Sequence, residues 1–296
     1  MYPGTEWSIL ELIGALAVLG LGAIVGSFLN VIILRLGRRS FITGRSACPE
    51  CGKVLKVRHL IPIVSYVWLG GKCDNCKRPI SGQYPLVEAA AGLMFTASFL
   101  YQLDRYAEGL DQLLLVFTFW FTLVLLWVLW STLIVVFVYD LYYKIIPNTT
   151  AAAFSILALT YVMTRALEDF PGWSELITDI SAGPLLFLPF WALWRFSDGR
   201  WMGLGDGKLA LGIGFFLGLT HGISAVILAF WIGAAVALLL IARDRIASRL
   251  LLSDDSERFS GINASTEVPF GPFLVLGTVI IYFYQWDILG LAHWFS

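Results

Sequence analysis

The chain has 296 residues, of which 58% are hydrophobic and only 14% charged, with a mean hydropathy of +0.78 and a formal net charge of −1. A soluble domain carries about 25% charged residues, and several apolar stretches here approach the roughly 20 residues that cross a bilayer. A soluble globular enzyme is thereby excluded; a polytopic membrane protein is expected, with no nucleic acid among its partners.

The first apolar run, from Ile9 to about Leu34, has Glu6 and Glu11 near its start and no basic residue before it. A secretory signal needs a basic leading stretch and a short apolar core, so this run reads as a retained transmembrane helix. Further spans are expected at about 85–103, 113–139, 149–166, 180–196, 206–220, 222–242 and 269–287, eight in all. The fifth and sixth are short and interrupted by Pro or Gly, which suits helices that tilt or line a cavity. The fold class is therefore an all-α polytopic membrane protein of about eight transmembrane helices. A small cytoplasmic zinc-ribbon-like insertion is expected between helices one and two. Three segments follow: helix one at 1–34, a zinc-binding segment at 35–84, and a transmembrane core at 85–296 with a flexible cytoplasmic loop at 243–268.

Basic residues in loops set orientation. Ten of the 20 Lys and Arg lie between Arg35 and Arg78, so that segment is expected in the cytoplasm and the N-terminus outside. Counting onward, the loops carrying Lys144, then Arg195 and Arg200, then Arg243 to Arg258 are also cytoplasmic, while the acidic loop at 167–179 lies outside. Asp140 and Asp206 then fall on the cytoplasmic side.

All four cysteines lie in the 35–84 segment, as Cys48-Pro-Glu-Cys51 and Cys73-Asp-Asn-Cys76, with 21 residues between the pairs. Two such pairs match a four-thiolate zinc ribbon. Each supplies two thiolates from one tight turn, and two turns complete a tetrahedron with no open position, so the metal is structural. A segment this small needs such a staple. A reducing cytoplasm disfavours disulfides, the competing reading. His59 reads as an ordinary loop histidine.

Asp140 ends the third apolar run, and Pro147 and Asn148 suit the turn into the fourth, with Asn148 an N-cap. Asp206 sits in Gly203-Leu204-Gly205-Asp206-Gly207-Lys208. The glycines permit close backbone approach or positive φ, and Lys208 is placed to balance or tune the carboxylate. A carboxylate beside hydrocarbon is costly unless paired, solvated or used. Two of them at one membrane edge fit a dyad that shares a proton and divides base and acid roles. Glu88, entering helix two, is either a functional acid or a helix N-terminal carboxylate favoured by the dipole. The 12 Trp, 11 Tyr and 21 Phe are read as mainly lipid-facing surface and interface belt.

The motifs Gly26-Ser27-Phe28-Leu29-Asn30, the two CxxC pairs, Ile61-Pro62, Ser65-Tyr66, Gly71-Lys72, Ile80-Ser81 and Tyr84-Pro85-Leu86-Val87-Glu88 occur in order. They continue with Asp140, Pro147, the Gly-x-Gly-Asp motif and Pro269-Phe270-Gly271-Pro272. Jointly they resemble the type IV prepilin peptidase (leader peptidase/N-methyltransferase) family, membrane aspartyl proteases of the Gly-x-Gly-Asp type. The resemblance implies a bifunctional enzyme of the bacterial inner membrane. It would cut the basic leader from type IV prepilins and type II secretion pseudopilins, then methylate the new N-terminus from S-adenosylmethionine. It makes Asp140 and Asp206 the catalytic pair; Gly203, Gly205, Lys208 and Glu88 are read from their positions as supporting residues. It makes Cys48, Cys51, Cys73 and Cys76 the zinc ligands, and associates Gly71 and Lys72 with methyl transfer. Leu60, Gly70 and Asn148 depart from the Asn, Arg and Asp common in the family. A peptidase without methyl transfer and a non-catalytic zinc-ribbon scaffold are the competing readings.

Overall fold

The structure is a computed structural model that describes residues 9–36, 46–106, 113–168, 171–250 and 268–290. Among these residues it is helical: α1 (Ile9–Arg35), a 3-10 turn (Val57–Leu60), α2 (Val64–Trp68), α3 (Gln83–Tyr106), α4 (Leu113–Tyr143), α5 (Asn148–Glu168), α6 (Trp173–Ser197), α7 (Leu204–Leu250) and α8 (Gly271–Tyr284). Six of them are long and apolar enough to cross a membrane, and α8 is a shorter apolar helix of 14 residues. The all-α membrane fold is as the sequence led us to expect, with a cysteine cluster in the insertion between the first two long helices.

The eight expected spans each fall on an apolar helical segment, because α7 is two helices, covering 206–220 and 222–242, that run together across a break. They meet at Gly218, whose φ of 74° breaks the helical backbone. Only a residue without Cβ adopts that region without strain. The fifth span is not short: α6 covers 25 residues and carries Pro184 and Pro189 inside it. Prolines persist in membrane helices because neighbouring groups satisfy the freed carbonyls. Glu175 lies in the first turn of α6, where the helix dipole favours an acid. Glu175 and Asp179 are thus helical rather than in a loop, and Asp169 lies outside the described residues. The loop at 243–268 falls largely on residues that are not described, and its first residues continue α7.

The chain forms two compact units, Met1–Val135 and Val136–Ser296, with the boundary inside α4. In the first, α1 and α3 meet along a seam of small residues. A Cβ on Gly22 would stand 2.8 Å from Gly92 Cα, and one on Gly26 would stand 2.7 Å from Glu88 Cα. Small residues four apart let membrane helices approach backbone to backbone. Asn30, 1% exposed, ties the seam: its Nδ2 donates to Gly26 O and Tyr84 O, and its Oδ1 accepts from Gln83 Nε2. On α4, Trp130 Nε1 donates to Ser98 Oγ at 2.7 Å, and Trp127 stacks on Phe95 at 4.9 Å.

In the second unit, Phe216 of α7 stacks on Tyr282 of α8 at 5.0 Å and takes Phe154 and Tyr161 of α5 on its edges. Trp130, Phe154, Phe216 and Tyr282 are all buried. A substantial part of the aromatic load therefore packs helix against helix rather than facing lipid.

Candidate active site and metal centre

Asp140 lies one turn before the end of α4, which runs on to Tyr143 instead of stopping at the carboxylate. Lys144 ends the helix in the left-handed region, with its amide returned to Asp140 O at 2.8 Å. Asp140 is 4% exposed. Its Oδ2 accepts the Gly271 N–H at 3.1 Å. Gly271 opens α8, with Pro272 behind it, so the carboxylate caps that helix at its positive end. A Cβ on Gly271 would stand 2.6 Å from Asp140 Oδ2, so no larger residue fits.

Asp206 sits in the first turn of α7, which begins at Leu204. Neither Gly203 nor Gly205 has positive φ. Close approach accounts for Gly205 and Gly207 but not for Gly203, whose Cβ would meet nothing nearer than 3.7 Å: a Cβ on Gly205 would stand 3.1 Å from Ile146 Cβ, and one on Gly207 3.0 Å from Phe190 Cβ. Ile146 also touches the space beside Gly271. One side chain in the α4–α5 turn thereby spaces the starts of α7 and α8, and with them Asp206 and Asp140.

Lys208 Nζ donates to Asn148 Oδ1 at 2.7 Å. Asn148 is the first residue of α5, and its side chain takes the lysine of α7. This strap joins the starts of α5 and α7 two residues from Asp206.

Sequence reasoning gave Gly271 no role at Asp140 and did not single out Ile146. The Pro-Phe-Gly-Pro run was the available signal for the first: Pro just inside a helix start marks the end whose free amides attract an anion.

In the first unit, the four cysteine sulfurs lie within 4.8 Å of one another, with Cys48 Sγ and Cys76 Sγ 3.9 Å apart. Sulfurs at about 2.3 Å from a tetrahedral zinc stand about 3.8 Å apart, so the set fits the metal. The two turns repeat one another. Cys48 N donates to Lys53 O and Cys73 N to Arg78 O; Gly52 N returns to Cys48 O and Lys77 N to Cys73 O. Antiparallel bridges Ala47–Val54 and Lys72–Pro79 flank them at equivalent positions. Gly52 (φ 67°) and Lys77 (φ 58°) each take the left-handed conformation after the second cysteine. Asn75 Nδ2 reaches Cys51 Sγ at 3.7 Å and its Oδ1 accepts Lys53 Nζ at 2.9 Å, tying one turn to the other.

Backbone amides favour thiolate at two of the sulfurs. The Lys53 amide, then the Asn75 side chain, lowers the Cys51 pKa, and the Cys76 and Asn75 amides bring Cys73 down to about 6. At Cys76 the Arg78 amide acts the same way, but burial and the neighbouring sulfurs outweigh it and push the thiol up to about 11. His59 stands 3.5 Å from Asp74 and takes no place among the sulfurs.

Glu88 is 7% exposed and its Oε2 accepts the Ile63 N–H at 2.7 Å. Ile63 has φ 60°, ψ −51°. That conformation is an outlier for a β-branched residue and costs on the order of 1–3 kcal/mol, so the surroundings must hold it. Gly71 (φ 67°) packs on the Tyr66 ring, donates its N–H to Tyr66 O and accepts Ile80 N–H. Its N–H is therefore committed to the turn and not to a cofactor. Lys72 carries an exposed ammonium, which suits a carboxylate of S-adenosylmethionine but not its sulfonium. These two residues alone do not make a pocket for that cofactor.

Residues 20–102 match the family model for the bacterial peptidase A24 N-terminal domain, and residues 127–238 match that for the type IV leader peptidase family. The prepilin leader peptidase/N-methyltransferase of Pectobacterium carotovorum subsp. carotovorum is 29% identical over 289 residues, covering 90% of this chain and 91% of that protein. The one from Bacillus subtilis strain 168 is 29% identical over 271 residues, covering 91% and 94%. The one from Myxococcus xanthus reaches 49% over 78 residues, covering 26% and 23%. No solved structure matches the chain. The two models take in both units along the chain, and the chain belongs to the type IV leader peptidase family, a family of membrane enzymes.

Proposed function

We propose that the chain is an aspartyl endopeptidase of the bacterial inner membrane that removes the leader of type IV prepilins or pseudopilins. The reading rests on one observation above the rest: Ile146 packs beside both Gly205, next to Asp206, and Gly271, whose amide is bonded to Asp140, so acids 66 positions apart in sequence stand at neighbouring helix starts of a single unit. The proposed orientation keeps the N-terminus outside and puts the zinc segment and the pair on the cytoplasmic side, following the basic residues.

Two carboxylates that share one site hold one proton between them and titrate as a unit. The ionised partner takes a proton from water as its oxygen attacks the scissile carbonyl. The protonated partner donates to the developing oxyanion. When the C–N bond breaks, the proton taken from water goes to the departing amine and the proton lent to the oxyanion returns to its aspartate, leaving a new carboxylate, a free N-terminus and the pair in its starting state. The Gly271 amide holds Asp140 in place, and the Lys208–Asn148 strap holds the first turn of α7. A zinc ion held by Cys48, Cys51, Cys73 and Cys76 supplies structure alone, since four thiolates leave it no open position.

By family likeness the enzyme also N-methylates the new N-terminus, with S-adenosylmethionine as the donor and Gly71 and Lys72 as candidate contacts. Leu60 and Gly70, which stand where Asn and Arg are common in the family, favour a second reading, a peptidase without this step. Cleavage of a synthetic prepilin by purified protein, with S-adenosylmethionine added, tests both. Release of the leader supports the peptidase, and a product heavier by one methyl group supports methyl transfer. No release, from protein that retains its helices and its zinc, refutes the proposal.

A further inference from the structure

Between the two cysteine turns, the chain from Val57 to Trp68 exposes apolar side chains to an extent the zinc site does not require. Val57 and Leu60 are the first and last residues of the 3-10 turn, at 84% and 41% exposure. Residues three apart eclipse on such a turn. Val64, Val67 and Trp68 follow on one face of α2, by their i, i+3, i+4 spacing, and Trp68 is 75% exposed. Contiguous exposed apolar side chains mark an interaction surface.

The position of this ridge is fixed by a bond already described. Ile63, directly before α2, gives its N–H to Glu88, which lies five residues into α3. At 1.5 Å per residue, that is about 7 Å from the start of a membrane-crossing helix. Tyr66 OH, on α2 itself, reaches Ile80 O just before α3. The ridge is therefore held beside the first two turns of α3. Leu86, in the first turn of α3, is also exposed. The charge around the ridge suits an anionic surface. Between Ser46 and Gly82 stand six basic side chains (Lys53, Lys56, Arg58, Lys72, Lys77, Arg78) against Glu50 and Asp74.

We propose that the ridge Val57, Leu60, Val64, Val67 and Trp68 is a membrane-surface anchor that lies in the headgroup–acyl boundary of an anionic phospholipid leaflet. Apolar side chains enter the boundary while neighbouring lysines and arginines meet the phosphates. The anchor binds the zinc segment to the leaflet through lipid as well as through protein. It does not depend on the peptidase reading, only on α3 crossing the bilayer.

The test uses the full chain in nanodiscs of phosphatidylglycerol or phosphatidylcholine, with the photo-crosslinker benzoylphenylalanine at one site. Trp68 carries the probe, and Leu93, exposed on the membrane-crossing part of α3, serves as the lipid-facing reference. Zinc content confirms the fold of each variant. The expected result is a phospholipid-mass adduct at Trp68 in yield comparable to that at Leu93, several-fold higher in phosphatidylglycerol than in phosphatidylcholine. Lys56→Glu with Lys72→Glu should remove that preference. An adduct at Leu93 with none at Trp68 overturns the anchor. So does an adduct at Trp68 to another protein chain or an added prepilin peptide in place of lipid. Equal yield in the two lipids overturns the anionic assignment.

Discussion

Asp140 accepts a hydrogen bond from the amide of Gly271, 131 residues further along the chain, at the first turn of α8. The bond makes one carboxylate both a proposed catalytic group and a helix cap. The tolerance at Gly271 is correspondingly narrow. Gly271→Ala puts a Cβ 2.6 Å from Asp140 Oδ2. Overpacking of this kind costs about 1–3 kcal/mol. Thermal unfolding in detergent should show the loss, and leader cleavage should fall further than stability alone explains, because the displaced atom belongs to the reacting group.

Asp140→Asn and Asp206→Asn each keep the size of the side chain and remove its charge. Each should lower cleavage by about 10²–10⁴-fold, the range for a lost general acid or base. Helical content by circular dichroism should be unchanged. Substantial cleavage by either purified variant would contradict a shared-proton mechanism.

The Lys208–Asn148 strap predicts coupling between two residues 60 positions apart. Lys208→Met and Asn148→Ala should each reduce cleavage modestly, and the double variant should be no worse than the poorer single one. The interaction energy from the double-mutant cycle should be about 0.5–1.5 kcal/mol, the ordinary net value of a hydrogen bond. Additive losses would show that the strap does not act as a unit.

One zinc per chain should be found by elemental analysis, and Cys73→Ser or Cys76→Ser should abolish it. Protons compete with the metal for the sulfurs, so a chelator should strip it faster as pH falls. Hydrogen exchange should then rise across 46–82 and stay unchanged in Val136–Ser296.

The cysteine cluster was the most legible part of this sequence, because its four sulfurs sit in two short repeats whose spacing carries the geometry. The repetition of the turns themselves was not legible, since Lys77 stands where Gly52 stands in its counterpart and hides the shared left-handed backbone. The proposed dyad was legible as two acids at the membrane edge, but its fittings were not. Gly271 and Ile146 act through contacts that no local pattern reports. The extent of α6 was misjudged because Pro184 and Pro189 look like stops to a reader who weighs helix propensity in water. The buried aromatics were misjudged for a related reason. Composition cannot distinguish a ring that faces lipid from one that faces a neighbouring helix, as Trp130 does with Ser98.

The fastening of Asp140 by α8 also sets an order of events during synthesis. Asp140 leaves the ribosome long before Gly271 is made, and until then its carboxylate has no amide to hold it. An incomplete chain, or one truncated before the final apolar helix inserts, would carry both acids without their finished geometry. Proteolytic competence would therefore arrive only with the last membrane segment, a safeguard against cleavage by half-built enzyme.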